Sequence, residues 1–120
     1  MATSHDLGKQ GEEMAASHLT QNGYLILERN WNFGKEEIDI IAQKDNQLVF
    51  VEVKTRKTAY YGQPEAFVKK QKQQIIIRAA HAYIVNNNRP EEARFDVIGV
   101  IIGAGGRELN HIEDAFAPGG

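Results

Sequence analysis

Three residues in two adjacent segments have the types and spacing to do chemistry. Asp39 lies in EEIDIIAQ, residues 36–43, and Glu52 and Lys54 lie in QLVFVEVK, residues 47–54. Both segments are rich in β-branched and apolar residues and read as strands. Lys44-Asp45-Asn46-Gln47 between them is turn chemistry. Side chains on a strand alternate faces, so Glu37, Asp39 and Ile41 share one face of the first segment, with Ile38 and Ile40 on the other. Phe50, Glu52 and Lys54 share a face of the second. A hairpin turning at Asp45-Asn46 puts Asp39 opposite Glu52 and Glu37 opposite Lys54, with Cβ atoms about 4.5–5.5 Å apart. Two carboxylates then converge with a lysine one step along.

Like charges directly opposed are destabilising, so something must offset them. A hard divalent cation held by one or two carboxylates is one solution. A raised pKa on one carboxyl is another. Lys54 could neutralise the pair, or could stabilise a developing oxyanion or orient a water. A solvated surface ladder would also place Glu and Lys on one strand face. Here Phe50 and Ile41 share that face, which indicates that it is covered, and buried charges without partners are costly.

The surrounding elements must position this face. Residues 5–22 read as a helix, capped by Ser4 or Thr3 and ended by Asn22-Gly23. Gly8, Gly11, Glu12, Ala15, Ala16 and Leu19 form a stripe of mostly small residues that can pack closely on a sheet. If that stripe covers the carboxylate face, Glu12 reaches the same site. YLILERNW, residues 24–31, reads as a strand and residues 32–35 as a turn. Residues 55–63 form a loop containing Tyr60, Tyr61 and Gly62, which could stack on unpaired bases or cap the core. Pro64 suits a helix start. Residues 65–85 carry helical spacing at Phe67, Gln71, Ile75, Arg78, Ala79 and Ala82. NNNRP, residues 86–90, breaks that helix. RFDVIGVII, residues 94–102, is a long apolar run expected to be buried on both faces. ELNHIEDAF is a short fifth strand, and residues 115–120 a frayed tail. The order αβββαββ implies an α/β fold, a central mixed sheet flanked by helices. The 120 residues form one domain, with its core at about residues 5–102.

Apolar residues make up 42% of the chain and charged residues 25%, a globular composition. No stretch approaches the roughly 20 apolar residues of a membrane span. The N-terminus has no apolar core of a secretory signal. Without cysteine, disulfide and thiolate chemistry are excluded, which is compatible with a cytoplasmic location. Net charge is -2, which counts mildly against nucleic acid as a partner. Charge is unevenly spread, however. Lys54, Arg56, Lys57, Lys69, Lys70 and Lys72 lie within one stretch against a single acid, Glu65, and make a local basic patch.

Asp39 followed by Glu52-Val53-Lys54 resembles the PD-(D/E)xK nuclease signature. GEEMA at 11–15, GYLILERNW at 23–31, EEIDIIA at 36–42, FVEVKTR at 50–56 and RFDVIGV at 94–100 resemble the bacterial UPF0102 (YraN-like) family over about residues 8–102. The fold of that family is similar to restriction endonucleases and archaeal Holliday junction resolvases. The resemblance implies a restriction endonuclease-like sheet, Asp39 and Glu52 as ligands of Mg²⁺ or Mn²⁺, a catalytic role for Lys54, and Glu12 beside the metal. Ile38 stands where the signature has proline. Lys35-Glu36 intervenes after Gly34, where the family usually reads Gly-Glu-Ile-Asp. Neither departure removes a ligand. The implied activity is metal-dependent phosphodiester hydrolysis of nucleic acid, DNA rather than RNA, in repair or recombination. A non-catalytic nucleic-acid-binding module with a vestigial site is the alternative. Cutting both strands of a duplex or junction suggests a homodimer.

Other residues carry plainer expectations. Lys72 is the member of the second helix to test for a phosphate contact, and Arg56 sits beside the motif where it could touch a phosphate. Glu37 is expected to pair with Lys54, Glu13 to face solvent, and Arg94 to pair with Asp96 on one strand face. His5, His18, His81 and His111 lack zinc-site spacing and read as ordinary. Trp31 reads as core or edge packing.

Overall fold

The computed structural model describes residues 3–59 and 62–119. Tyr60 and Tyr61, expected in a loop near the site, lie outside them. Helix α1 spans Ser4–Gln21 and starts from a capping box. The Thr3 hydroxyl accepts the Asp6 amide at 3.1 Å, while the Asp6 carboxylate accepts from the Thr3 amide. Thr3, rather than Ser4, is therefore the cap. Strands β1 (Leu25–Phe33), β2 (Glu36–Lys44) and β3 (Gln47–Arg56) follow as consecutive antiparallel hairpins. Strand β1 runs on through Asn32 and Phe33, so the turn expected there shrinks to Gly34-Lys35.

The expected second helix is shorter than its spacing suggested. Pro64 heads a single 3₁₀ turn, Pro64–Phe67, and helix α2 runs only over Lys70–Asn86. Val68 and Lys69 between them are extended. The buried stripe of α2 is Ile76, Ala79, Ala80 and Tyr83. Of the stripe expected from sequence, Ala79 is buried, Ile75 and Ala82 are half-buried, and Gln71 and Arg78 are exposed. Strands β4 (Glu92–Gly103) and β5 (Gly106–Phe116) complete the chain. The fifth strand is longer than the short one expected.

The sheet order is β1-β2-β3-β4-β5, with β3 and β4 parallel and every other pair antiparallel. This is the expected α/β order αβββαββ with a mixed sheet. The parallel pair needs a crossover, which α2 supplies. Helix α1 covers one face, packing Ala15, Ala16 and Leu19 on Ile40, Ala42, Val49, Val51, Ile98 and Val100. Helix α2 covers the other, against Ile38, Ile41, Leu48, Phe50 and Phe95. Phe95 through Val100 are all buried, as expected for a strand enclosed on both sides.

One expectation about faces fails. Ile38 and Ile40 were assigned to the same face, yet Ile38 packs beneath α2 and Ile40 beneath α1. The alternation slips by one residue at Asp39. Beside the slip, on the neighbouring edge strand, Asn30 lies between the pairs Arg29↔Ile40 and Trp31↔Ile38 with a left-handed φ of 52°. Such irregularities bend a strand and re-aim its side chains.

Candidate active site at the opening of the β2–β3 hairpin

The β2–β3 ladder runs in the expected register from Lys44↔Gln47 to Ile40↔Val51. There it stops, one step before Asp39 would face Glu52. Beyond it Asp39 accepts with its side chain instead: Oδ2 takes the Val53 amide at 2.7 Å. The two carboxyl groups still act on each other, Asp39 being one of the groups that raise the pKa of Glu52. Asp39 is half-buried and Glu52 is only 5% exposed.

Burial, first, and then the hydrogen bond and charge of Asp39 push the Glu52 carboxyl up to about 8. Lys72 and Lys54 act in the opposite direction. Lys54 Nζ lies 4.0 Å from Glu52 Oε2, and Lys72 Nζ, from the first turn of α2, lies 3.9 Å from the same oxygen. Lys72 is also 3.9 Å from Glu36. Lysines from two elements thus converge on one buried carboxylate. The expected Glu37–Lys54 pair is replaced: Lys54 turns to Glu52, and Glu37 receives the Asn30 side chain at 3.3 Å.

Asn30 is the residue that sequence reasoning missed. Its left-handed backbone brings its amide between two acids, donating to Glu12 at 2.8 Å and to Glu37. Asparagine is one of the few residues that tolerates this conformation, which was the available signal. Glu12 therefore approaches from α1, half-buried beside Asp39 rather than within the Asp39–Glu52 pair. Burial, Asp39 and Glu37 raise its pKa in that order. Among the described residues no group of three or more His, Asp or Glu is gathered to hold a metal ion. The Asp39–Glu52 pair does fit a hard cation, because two carboxyl groups lie together and one of them, Glu52, resists ionisation through burial and then through Asp39. Mg²⁺ commonly takes only one or two carboxylates, with waters and phosphate oxygens completing its shell.

Glu12 and Gly8 border two clefts. One, of about 500 Å³, is lined further by Leu7, Val53, Lys54, Thr55, Arg56 and Lys57. The other, of about 600 Å³, is lined by His5, Lys9, Asn30 and Glu37. Arg56 and Lys57 are exposed at the strand end. Glu13 faces solvent as expected, paired with Arg29 at 2.8 Å.

A second polar cluster lies between α1, β4 and β5. Asp96 is fully buried and accepts from Arg94 through two nitrogens, from the Asp114 amide and from His111 Nε2 at 2.7 Å. Burial alone would raise its pKa, but His111, Arg94 and the Asp114 amide together hold it below the ordinary value. His111 Nδ1 in turn meets His18 Nε2 at 3.0 Å. The expected Arg94–Asp96 pair is present. His18 and His111 do more than read as ordinary residues: they link α1 to the edge strand. His5 and His81 are exposed.

The match to known proteins covers these elements. The model of the uncharacterised protein family UPF0102 matches residues 11–100. The chain is 48% identical over 116 residues to a UPF0102 protein of Flavobacterium psychrophilum, covering 97% of this chain and 98% of the relative. It is 44% identical over 120 residues to one of Flavobacterium johnsoniae, with 97% and 98% covered. A UPF0102 protein of Prosthecochloris aestuarii is 47% identical over 121 residues, with 93% and 94% covered. This chain belongs to the UPF0102 family. The span matched to the UPF0102 model holds Glu12, Asn30, Asp39, Glu52, Lys54 and Lys72. Among the described residues of this UPF0102 protein, no helix is long and apolar enough to cross a membrane.

Proposed function

We propose that this protein is a metal-dependent phosphodiester hydrolase acting on nucleic acid, DNA rather than RNA, in repair or recombination. The observation that carries the reading is the buried Asp39–Glu52 pair with Lys54 and Lys72 both within 4.0 Å of Glu52. Two acids packed this closely, at a cost to folding, make sense as the cradle of a cation. Bound there, Mg²⁺ or Mn²⁺ would polarise a phosphoryl oxygen and lower the pKa of its water. Asp39 and Glu52 hold the cation. Asp39 is itself fixed by the Val53 amide, and Glu52 by burial. Lys54 orients the attacking water or steadies charge developing on the phosphate. Lys72 contacts the flanking phosphate from the opposite face, and Arg56 extends the cationic surface at the strand end. Glu12, tethered by Asn30, adds a third acid at the edge of the site. A cytoplasmic homodimer would present two such sites to a duplex or junction.

Cleavage of end-labelled single-stranded, duplex, flap and four-way-junction DNA, and of RNA, tests this with Mg²⁺ or Mn²⁺ present. Wild type is expected to cut at least one substrate and Asp39→Ala none. Full activity in Asp39→Ala would remove the assignment.

A second reading is a nucleic-acid-binding module without catalysis. It is favoured by Lys54 and Lys72, whose convergence beside Glu52 offers phosphate contacts without a metal. Salt-sensitive, metal-independent binding with no cleavage of any substrate would select it.

A further inference from the structure

Gly8 and Gly11 stand one turn apart on the same side of α1, and the fold uses them differently. A Cβ on Gly11 would run into the Thr55 hydroxyl, so close packing of α1 on β3 demands that glycine. A Cβ on Gly8 would meet nothing within 4 Å. Glycine inside a helix is destabilising relative to alanine, and Gly8 has no packing to justify it. What its missing side chain supplies is open space at a particular place. Gly8 and Glu12 are the two residues shared by both clefts beside the site. Lys54, Arg56 and Lys57 wall the first cleft, and Lys9 lines the second. The two clefts adjoin at Gly8 and Glu12, with cations predominating in the first and Lys9 standing with Glu12 and Glu37 in the second.

We propose that Gly8 is the floor of a groove crossed by a nucleic-acid strand, whose sugar–phosphate backbone passes against α1 at Gly8 on its way to Asp39 and Glu52. Gly8 is then a residue that determines specificity by admitting a backbone where any side chain would exclude it. An extended polyanion suits the row Lys54, Arg56 and Lys57 along the first cleft, with Lys9 across Gly8, better than a compact ligand does. This inference deepens the hydrolase reading and rests on it for the identity of the site.

The test compares wild type, Gly8→Ala and Gly8→Leu in three measurements. Thermal unfolding comes first, then polarisation binding of a fluorescein-labelled single-stranded DNA and its RNA counterpart in chelator, then cleavage with Mg²⁺ or Mn²⁺. Both variants are expected to fold, with Gly8→Ala melting above wild type. Gly8→Leu is expected to bind the strand about tenfold more weakly, or ~1.4 kcal/mol, and Gly8→Ala to fall between. Wild-type affinity in Gly8→Leu would overturn the groove even if the wild type cuts DNA. Lost binding in Gly8→Leu with a wild type that binds but never cuts would keep the groove and remove the hydrolase. A wild type that binds neither strand would overturn both. Should Gly8→Leu misfold, undiminished binding by the folded Gly8→Ala overturns the groove.

Discussion

The Asp39 carboxylate accepts the Val53 amide at 2.7 Å, one residue past Glu52, so the acid that ends the β2–β3 ladder also closes it. Asp39 thus has a structural task and, in the proposed mechanism, a chemical one. Asparagine separates them, because its side-chain oxygen can still accept from Val53 while its charge is gone. Asp39→Asn is expected to unfold at or above the wild-type temperature and to lose cleavage by roughly a hundredfold or more, beyond the usual cost of removing an outer partner of a metal site. Asp39→Ala leaves the Val53 amide without its acceptor and should lose about 1–3 kcal/mol from that bond, partly offset by relief of repulsion on Glu52. Urea titrations of both variants check this, and an unstable Asp39→Asn would refute it.

Glu52 makes stability depend on pH in a stated direction. Its carboxyl is raised from 4.5 to about 8 in the fold, so the folded state holds this proton more tightly than the unfolded chain. The associated stability is complete below 4.5 and is lost as pH rises through about 8. In chelator, the melting temperature should therefore fall between these values. Mg²⁺ or Mn²⁺ should restore it at the alkaline end, and Glu52→Gln should flatten the slope and abolish the metal response. A wild-type melting curve indifferent to metal at alkaline pH would count against the cation.

Asp96 behaves oppositely. Its folded pKa lies below 3.8, so its contribution is present above that value and is lost as pH falls through the lowered one. Asp96→Ala removes the buried partner of Arg94, leaving it Glu113, Gln47 and Tyr24, and should cost about 3 kcal/mol, the lower end for breaking a buried ion pair. Chemical denaturation of Asp96→Ala at neutral pH measures it, and a loss under about 1 kcal/mol, the scale of an exposed pair, would mean that Arg94 finds water instead.

Gly11→Ala tests the contact of α1 with β3. Overpacking at a site this close should cost about 1–3 kcal/mol. Thr55→Ala removes the obstructing hydroxyl and should recover part of that loss, giving a favourable coupling in a double-mutant cycle. Additive losses would show that Thr55 is not the obstruction.

Much of this architecture was readable from residue order, for local reasons. The Asp45-Asn46 turn set the hairpin register as far as Ile40 and Val51, since a two-residue turn leaves little choice. The small stripe on α1 marked a closely packed helix, although it covers the sheet face opposite Ile41 and Phe50. The failures came from influences that do not travel along the local segment. The alternation of β2 slips at Asp39, beside a left-handed Asn30 on the adjoining strand. The start of α2 depends on an extended Val68-Lys69 that helical spacing does not reveal. Lys72 could be named but not placed against Glu52, because that contact joins α2 to β3 across the crossover. His18 and His111 meet only once β5 lies on β4 beneath α1.

The sheet order also divides the folding of this chain in time. Strands β2 and β3 join through a tight turn, and such hairpins form in about 1–10 μs. The parallel pairing of Gln47 with Glu92 must wait until the whole α2 crossover closes, and contacts of long sequence separation come late. Asp39 and Glu52 are thus drawn together while still bathed in water, where mutual repulsion is weak. The full penalty arrives when β4 and α2 dock and dry the pair. A divalent cation that binds there should therefore act chiefly on unfolding, slowing the escape from the finished structure and leaving the rate of first assembly almost untouched.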